Sequence, residues 1–328
     1  MAMRILPRAL SILVPVILAA CATSTKQQST STTNPGPLKG LAEFQALPSQ
    51  PADYRIAYGE DPSQYAELKV PSSAGPHPVV ILIHGGCWKA AYATLRDLAP
   101  MADALKADGI AAWNIEYRRL PQPGSGWPGT YLDVGRAVDH LRSIAKERRL
   151  DLSRVVVLGH SAGGHLALWT AARARLPKES PLFVPGPLPI GGVINLAGYG
   201  DMEAFIPAET AGCNDAVVEA MLGGKPAIFP ERYAQTSAIK MLPLGVRQVL
   251  IWGQRDEIAP IWLGENYVKA ALKAGDTVRL EIIPTLGHFE IASPQSPAWS
   301  NVRDAIRSLL KLNQEVGATS KDLSNDKL

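Results

Sequence analysis

The stretch Val155-Val156-Val157-Leu158-Gly159-His160-Ser161-Ala162-Gly163-Gly164-His165 decides how the rest of the chain is read. Four consecutive apolar residues, three of them β-branched, predict a strand buried on both faces. The Ala-rich run from Ala162 to Arg173 predicts a helix. A strand that passes into a helix through Gly-x-Ser-x-Gly must turn sharply, and the glycines permit the backbone angles and close contacts that such a turn needs. Ser161 then stands at the apex, with its hydroxyl at the carboxyl edge of the sheet. A serine so presented is a candidate nucleophile, whereas the plainer alternative is a structural Ser in a Gly-rich turn. The two are separated by whether a base, an acid and backbone donors are found elsewhere in the chain.

Working outward, alternating strands and helices surround this turn. Tyr54 to Gly59 and Tyr65 to Val70 read as a short antiparallel pair split by the turn cluster Glu60-Asp61-Pro62-Ser63. Val79 to Ile83 is a continuous apolar run. A helix follows over Tyr92 to Ala107, then a strand Ile110 to Tyr117, a helix Tyr131 to Arg149 and the strand before Ser161. Further on, Ile190 to Ala197, Val249 to Trp252 and Val278 to Ile283 read as strands, and Ile261 to Ala274 and Trp299 to Leu310 as helices. Such alternation predicts a mostly parallel α/β sheet with helices on both faces. Residues 198–246 carry one readable helix, Asp215 to Leu222, and are expected to form a short lid rather than a domain.

The companions that acyl transfer needs are each in place. His84-Gly85-Gly86-Cys87-Trp88 follows directly on a buried strand and can turn N–H groups toward a developing oxyanion. The expected donors are Gly86, Cys87 and Ala162, with His84 structural. Asp256 lies just after the strand Val249 to Trp252, with Glu257 its nearest competitor for the acid. His288 alone among the six histidines falls in a loop after the last strand. Trp88, Trp127 and Tyr92 lie in or beside loops at the same edge and are candidates to wall a substrate cavity, the alternative for each being a place in the core. No paired-His helix, C-x-x-C or phosphate-cradling Gly-Lys loop occurs, so neither a metal nor a cofactor is expected.

Taken together, these residues resemble the α/β-hydrolase superfamily, and within it the small carboxylesterases related to hormone-sensitive lipase and to kynurenine formamidase. The resemblance runs from Pro51 to Leu312. It rests on His84 to Trp88, Asn114-Ile115-Glu116-Tyr117-Arg118-Arg119, Trp127-Pro128, Gly159 to Gly164 and the loops of Asp256 and His288. It implies an α/β-hydrolase fold and a serine hydrolase that cleaves small carboxylic esters through an acyl-enzyme on Ser161. The hormone-sensitive lipase group usually has a third Gly where this chain has Cys87 and an Asp where it has His160. His-Gly-Gly-x-Trp is the kynurenine formamidase form, so a formamidase-like amidase is the first alternative. A prolyl oligopeptidase-like peptidase is the second, disfavoured because no propeller-sized segment precedes the first strand. An inactive surface-anchored binding module is the third, and it would predict a missing triad member.

The ends of the chain carry different information. Arg4 and Arg8 followed by the apolar run Ala9 to Ala20, broken by Pro15, read as a signal peptide over residues 1–20. Leu18-Ala19-Ala20-Cys21 resembles the lipobox of bacterial lipoproteins. That resemblance implies cleavage before Cys21, lipid on that cysteine and, in a Gram-negative cell, the outer membrane facing the periplasm. Residues 21–50 are then a tether, since Thr23 to Gly36 is almost entirely polar, and residues 313–328 a polar tail. In an exported domain the remaining cysteines, Cys87 and Cys213, are candidates for one disulfide, the alternative being two separate buried thiols. The 328 residues carry a formal charge of +3, with 46% hydrophobic and 19% charged residues. That is an ordinary globular balance without the basic footprint of a nucleic-acid binder.

Overall fold

The structure is a computed structural model that describes Met1 and residues 36–312. The signal segment, Cys21 and the polar tail lie outside the described residues. The chain divides after Gly36, and every helix and strand named here belongs to the unit that begins at Pro37.

In chain order the elements are helix α1 (Leu41–Gln45), strands β1 (Tyr54–Ala57), β2 (Tyr65–Lys69) and β3 (His77–Ile83), helix α2 (Ala99–Ala107), strand β4 (Ala111–Ile115), helix α3 (Gly129–Arg148), strand β5 (Leu150–His160) and helix α4 (Ala162–Ala172). They continue with strand β6 (Gly192–Leu196), helices α5 (Met202–Cys213), α6 (Val217–Leu222) and α7 (Pro230–Thr236), strand β7 (Arg247–Gly253), helix α8 (Ile261–Lys273), strand β8 (Val278–Ile283) and helix α9 (Trp299–Leu309). The eight strands form one sheet in the order β1-β2-β4-β3-β5-β6-β7-β8. β1 and β2 run antiparallel to their neighbours, and every pair from β4–β3 to β7–β8 is parallel. Side chains of β3, β4 and β6 are buried along their whole length, which is why these strands read as unbroken apolar runs rather than alternating ones. The result is the mostly parallel α/β sheet that the alternation predicts, arranged as the α/β-hydrolase fold that the resemblance implies.

Three differences from the sequence reading matter for the site. The tether expected over residues 21–50 gives way to folded chain before its end: α1 is helical and buries Phe44, which is 3% exposed. Glu43 closes this short helix by accepting from the Gly40 N–H at 2.9 Å. The lid holds three helices instead of one. α5 escapes a breaker-based reading because Pro207 lies inside it, yet Asp201 caps it through bonds from the N–H groups of Glu203 and Ala204. The helix expected from Tyr92 begins only at a 3-10 turn over Leu95–Leu98, capped by Thr94, and continues as α2.

Candidate active site

The turn after β5 carries the candidate nucleophile. Ser161 has φ 54° and ψ −123°, a conformation that non-glycine residues hold only at a cost of about 1–3 kcal/mol and mostly at functional sites. The surroundings impose it. The Ser161 N–H donates to the Leu196 carbonyl of β6 at 2.8 Å, and its own carbonyl accepts from Gly164 and His165, which start α4. The helix can begin so close to the sheet because residue 163 is glycine: a Cβ there would lie 2.0 Å from the Ile83 carbonyl oxygen. A strand, a helix and a neighbouring strand together fix where the hydroxyl emerges.

Asp256 and His288 come from the loops after β7 and β8. His288 Nδ1 donates to Asp256 Oδ2 at 2.7 Å, and neither side chain is more than 4% exposed. The second carboxylate oxygen, Oδ1, accepts from the N–H groups of Ile258 and Ala259 at 2.9 and 2.8 Å. Three donors thereby fix the orientation of Asp256. Glu257, its competitor in the sequence, is exposed. Ser161 and His288 line one cavity of about 240 Å³. Among the described residues no hydrogen bond joins Ser161 to His288, and such contacts commonly tighten only once a substrate is engaged.

His160 completes the support of the base. Its Nε2 donates to the His288 carbonyl at 2.9 Å, and its ring lies 4.7 Å from the His288 ring. Burial, reinforced by the neighbouring His288, pushes the His160 imidazole well below its ordinary range and keeps it neutral. Glu290 fastens the same loop by accepting from the N–H groups of Gly287 and Lys39 at 3.2 and 2.6 Å. Sequence reading misses Glu290 and Phe44. Phe44 stacks at 5.7 Å on Phe289 and forms part of the cavity wall. The short motif Gly40-x-x-Glu43 ahead of Phe44 is the available signal.

The loop after β3 supplies backbone donors. Gly86, Cys87 and Trp88 all have positive φ, 92°, 51° and 54°. Only glycine fits at 86, where a Cβ would fall 2.4 Å from that of Ala93. Gly86 and Cys87 line the cavity with Ser161, and Ala162 opens α4 directly after the nucleophile with its amide at the first helical position. A buried polar network holds this loop from behind. The two ring nitrogens of His84 lie at hydrogen-bonding distance from the Gly85 carbonyl and from Glu116 Oε1, each at 2.9 Å. Glu116 also accepts from the N–H groups of Tyr117 and Leu95 and pairs with Arg119 at 3.0 Å. Burial alone would raise the Glu116 carboxyl, but the charges and hydrogen bonds of His84 and Arg119 hold it below its usual value. The Tyr117 ring stacks at 4.5 Å on His84, and its hydroxyl donates to the His84 carbonyl at 2.7 Å.

Cys87 and Cys213 are joined, S–S 2.01 Å, across a separation of 126 residues. The bond ties the donor loop to the last residue of α5, and so to the lid. The aromatic wall expected from Trp88 and Trp127 needs correction. Trp88 is fully buried, with its ring 5.3 Å from His165, 5.9 Å from Tyr199 and 6.4 Å from Phe205. Its positive φ commits that ring to the packing beneath the loop. Trp127 packs on Tyr131 and beside Arg232 of α7, and neither Trp lines the cavity. Tyr92, Phe44, Leu41, Leu98, Ile258 and Phe289 do. Among the described residues no cluster of His, Cys, Asp and Glu could hold a metal ion, and no helix is long and apolar enough to cross a membrane.

A parallel sheet with a serine elbow after one strand, an aspartate after the next but one and a paired histidine after the last defines an α/β-hydrolase of the serine-nucleophile class. Residues 67–269 match the BD-FAE family model, and the chain belongs to that family. It is similar to Esterase LipC of Mycobacterium tuberculosis, 27% identical over 240 residues that cover 71% of this chain and 59% of LipC. It is also similar to the Probable carboxylic ester hydrolase LipM of the same organism, 31% identical over 160 residues, 46% of this chain and 34% of LipM. The matched region thus spans less than two thirds of these relatives' own length. Among solved structures it is similar in fold to Esterase B from Lactobacillus Rhamnosis, with TM-score 0.69, 20% identity and coverage of 83% of this chain and 91% of that one. A Bacterial Heroin Esterase superimposes with TM-score 0.65 at 23% identity, covering 82% and 87%.

Proposed function

We propose that this protein is a serine carboxylic ester hydrolase acting on small esters. The observation that carries the reading is the His288–Asp256 pair at 2.7 Å in the same cavity as Ser161 on its strained turn. His288 takes the proton of the Ser161 hydroxyl as Oγ attacks the ester carbonyl. The charge that develops on the carbonyl oxygen is met by the N–H of Ala162 and by those of Gly86 and Cys87. His288 then passes the proton to the departing alcohol, which leaves an acyl-enzyme, and water activated by the same imidazole releases the acid. The relatives named as esterases support this chemistry. Ser161→Ala should remove nearly all turnover and all labelling by a fluorophosphonate probe; full labelling of that variant would overturn the assignment.

The small, largely apolar cavity favours short acyl groups. The formamidase alternative retains one observation in its favour, the His84-Gly85-Gly86-Cys87-Trp88 form of the donor loop. Comparing kcat/KM on p-nitrophenyl esters from acetate to palmitate, a feruloyl ester and N-formylkynurenine separates these readings. A maximum at acetate or butyrate is expected. A preference for palmitate, or for the formamide by more than about tenfold (~1.4 kcal/mol), would reverse the small-ester reading.

The mature protein is, on the same proposal, exported and held at a membrane by lipid on Cys21. Its support is the run that ends Leu18-Ala19-Ala20-Cys21 together with the Cys87–Cys213 bond, which suits an oxidising compartment. A fatty-acid analogue should label the wild type and not Cys21→Ser, whereas a soluble mature form that starts at another residue would defeat this part.

A further inference from the structure

One carboxyl group stands in the cavity without a role in the triad. Asp97 lines it together with Ser161 and the apolar side chains of Phe44, Leu98 and Ile258. The residue is 9% exposed. Its Oδ2 accepts one hydrogen bond, 3.1 Å, from the neutral amide of Gln45, which is itself anchored to the Tyr92 carbonyl at 2.7 Å. Among the described residues Asp97 has no ion-pair partner and Oδ1 has no hydrogen bond. Oδ1 is not sealed off among the buried polar atoms that lack a partner, and the residue lines the cavity, where a substrate group can pair with it. Burial pushes this carboxyl above the usual carboxylate range, despite the nearby charges of His84 and Arg119.

We infer that Asp97 is a specificity-determining residue that hydrogen-bonds a hydroxyl group on the substrate, so that the preferred esters carry a hydroxyl on the part that fills this end of the cavity. An apolar wall with a single polar group is how a site selects orientation rather than bulk affinity. A site built to pair a hydroxyl discriminates strongly against the analogue that lacks it, because the buried partner is then left unsatisfied. A raised carboxyl suits a neutral donor better than an ammonium group, which would demand the ionised form. The inference rests on the proposed ester chemistry.

Two substrate pairs test it, one on each side of the ester: p-nitrophenyl 3-hydroxybutyrate against p-nitrophenyl butyrate, and glyceryl butyrate against propyl butyrate. The wild type should favour the hydroxylated member of one pair by at least tenfold in kcat/KM. That ratio should fall toward one in Asp97→Ala, whatever loss the two substrates share, and only partly in Gln45→Ala and in Asp97→Asn, whose amide still pairs with a hydroxyl. The ratio is insensitive to a general loss of folded enzyme, and Asp97→Asn keeps the size of the side chain. No preference in either pair, or a preference that survives Asp97→Ala undiminished, overturns the proposal. Hydrolysis of p-nitrophenyl acetate by the wild type is the separate control: if it is absent, the ester reading falls first and this inference with it.

Discussion

At the scale of single residues, two groups of histidines do opposite work. In the proposed reaction His288 has to gain and lose a proton, and Asp256 serves that by fixing which nitrogen faces the cavity. Asp256→Asn can keep the bonds from Ile258 and Ala259 yet presents an amide to Nδ1, which favours the wrong tautomer. A fall in kcat of about 10³- to 10⁴-fold with KM little changed is expected from steady-state kinetics. His160 and His165 are held neutral instead. Burial pulls the His165 imidazole down to about 4, against a backbone bond to the Thr236 carbonyl that acts the other way. An unfolded chain protonates these rings near 6.5, before the native protein does. The unfolded state therefore binds more protons below that pH. Stability should be fully present above about 6.5 and drain away as pH falls toward 4, by roughly 3 kcal/mol for His165 alone. Urea midpoints measured from pH 7.5 to 4.5 should fall in the wild type and less steeply in His165→Gln. An equal slope in both would reject this origin.

At the scale of elements, helix α1 and the lid decide the shape of the cavity. Phe44 is buried between His160 and Phe289, with ring distances of 5.8 and 5.7 Å. Phe44→Ala should cost about 3–5 kcal/mol, read as a lower denaturation midpoint, and should raise KM because the cavity loses a wall. These are the elements hardest to read from sequence. The 5 residues of α1, coming after a polar stretch, give too little periodicity to register. The signal that exists, Glu43 reaching back to Gly40, is a capping contact rather than a hydrophobic pattern. The strands are legible for the opposite reason. Val79 to Ile83 and Val155 to Leu158 are buried on both faces, so burial alone accounts for their composition. The same logic explains the error at Trp88. Loop position suggests a surface ring, whereas the left-handed backbone of residues 86–88 turns it into the core beside Tyr199 and Phe205.

At the scale of the whole molecule, the site is assembled from the carboxyl ends of β3, β5, β7 and β8, which the sheet order gathers along one edge although His84 and His288 lie far apart in sequence. The order Ser161, Asp256, His288 is readable because that edge is where a parallel sheet delivers its loops. The pairing of Cys87 with Cys213 is readable only as one of two options, because sequence separation says nothing about which loops meet above the sheet. Closing a loop of this length stabilises by about 5 kcal/mol in the chain-entropy account. Reductant, or the double substitution of both cysteines by Ser, should lower the thermal midpoint accordingly, and thiol titration of denatured, unreduced protein should find neither residue free. The bond also limits how the cavity can open. Because one half of it sits in the donor loop beside the nucleophile, α5 cannot swing away at that end without dragging the catalytic machinery along. A lid tied down at that end is not free for an oil droplet to prise open. Its rate on tributyrin should climb smoothly through the solubility limit, with no jump where droplets form.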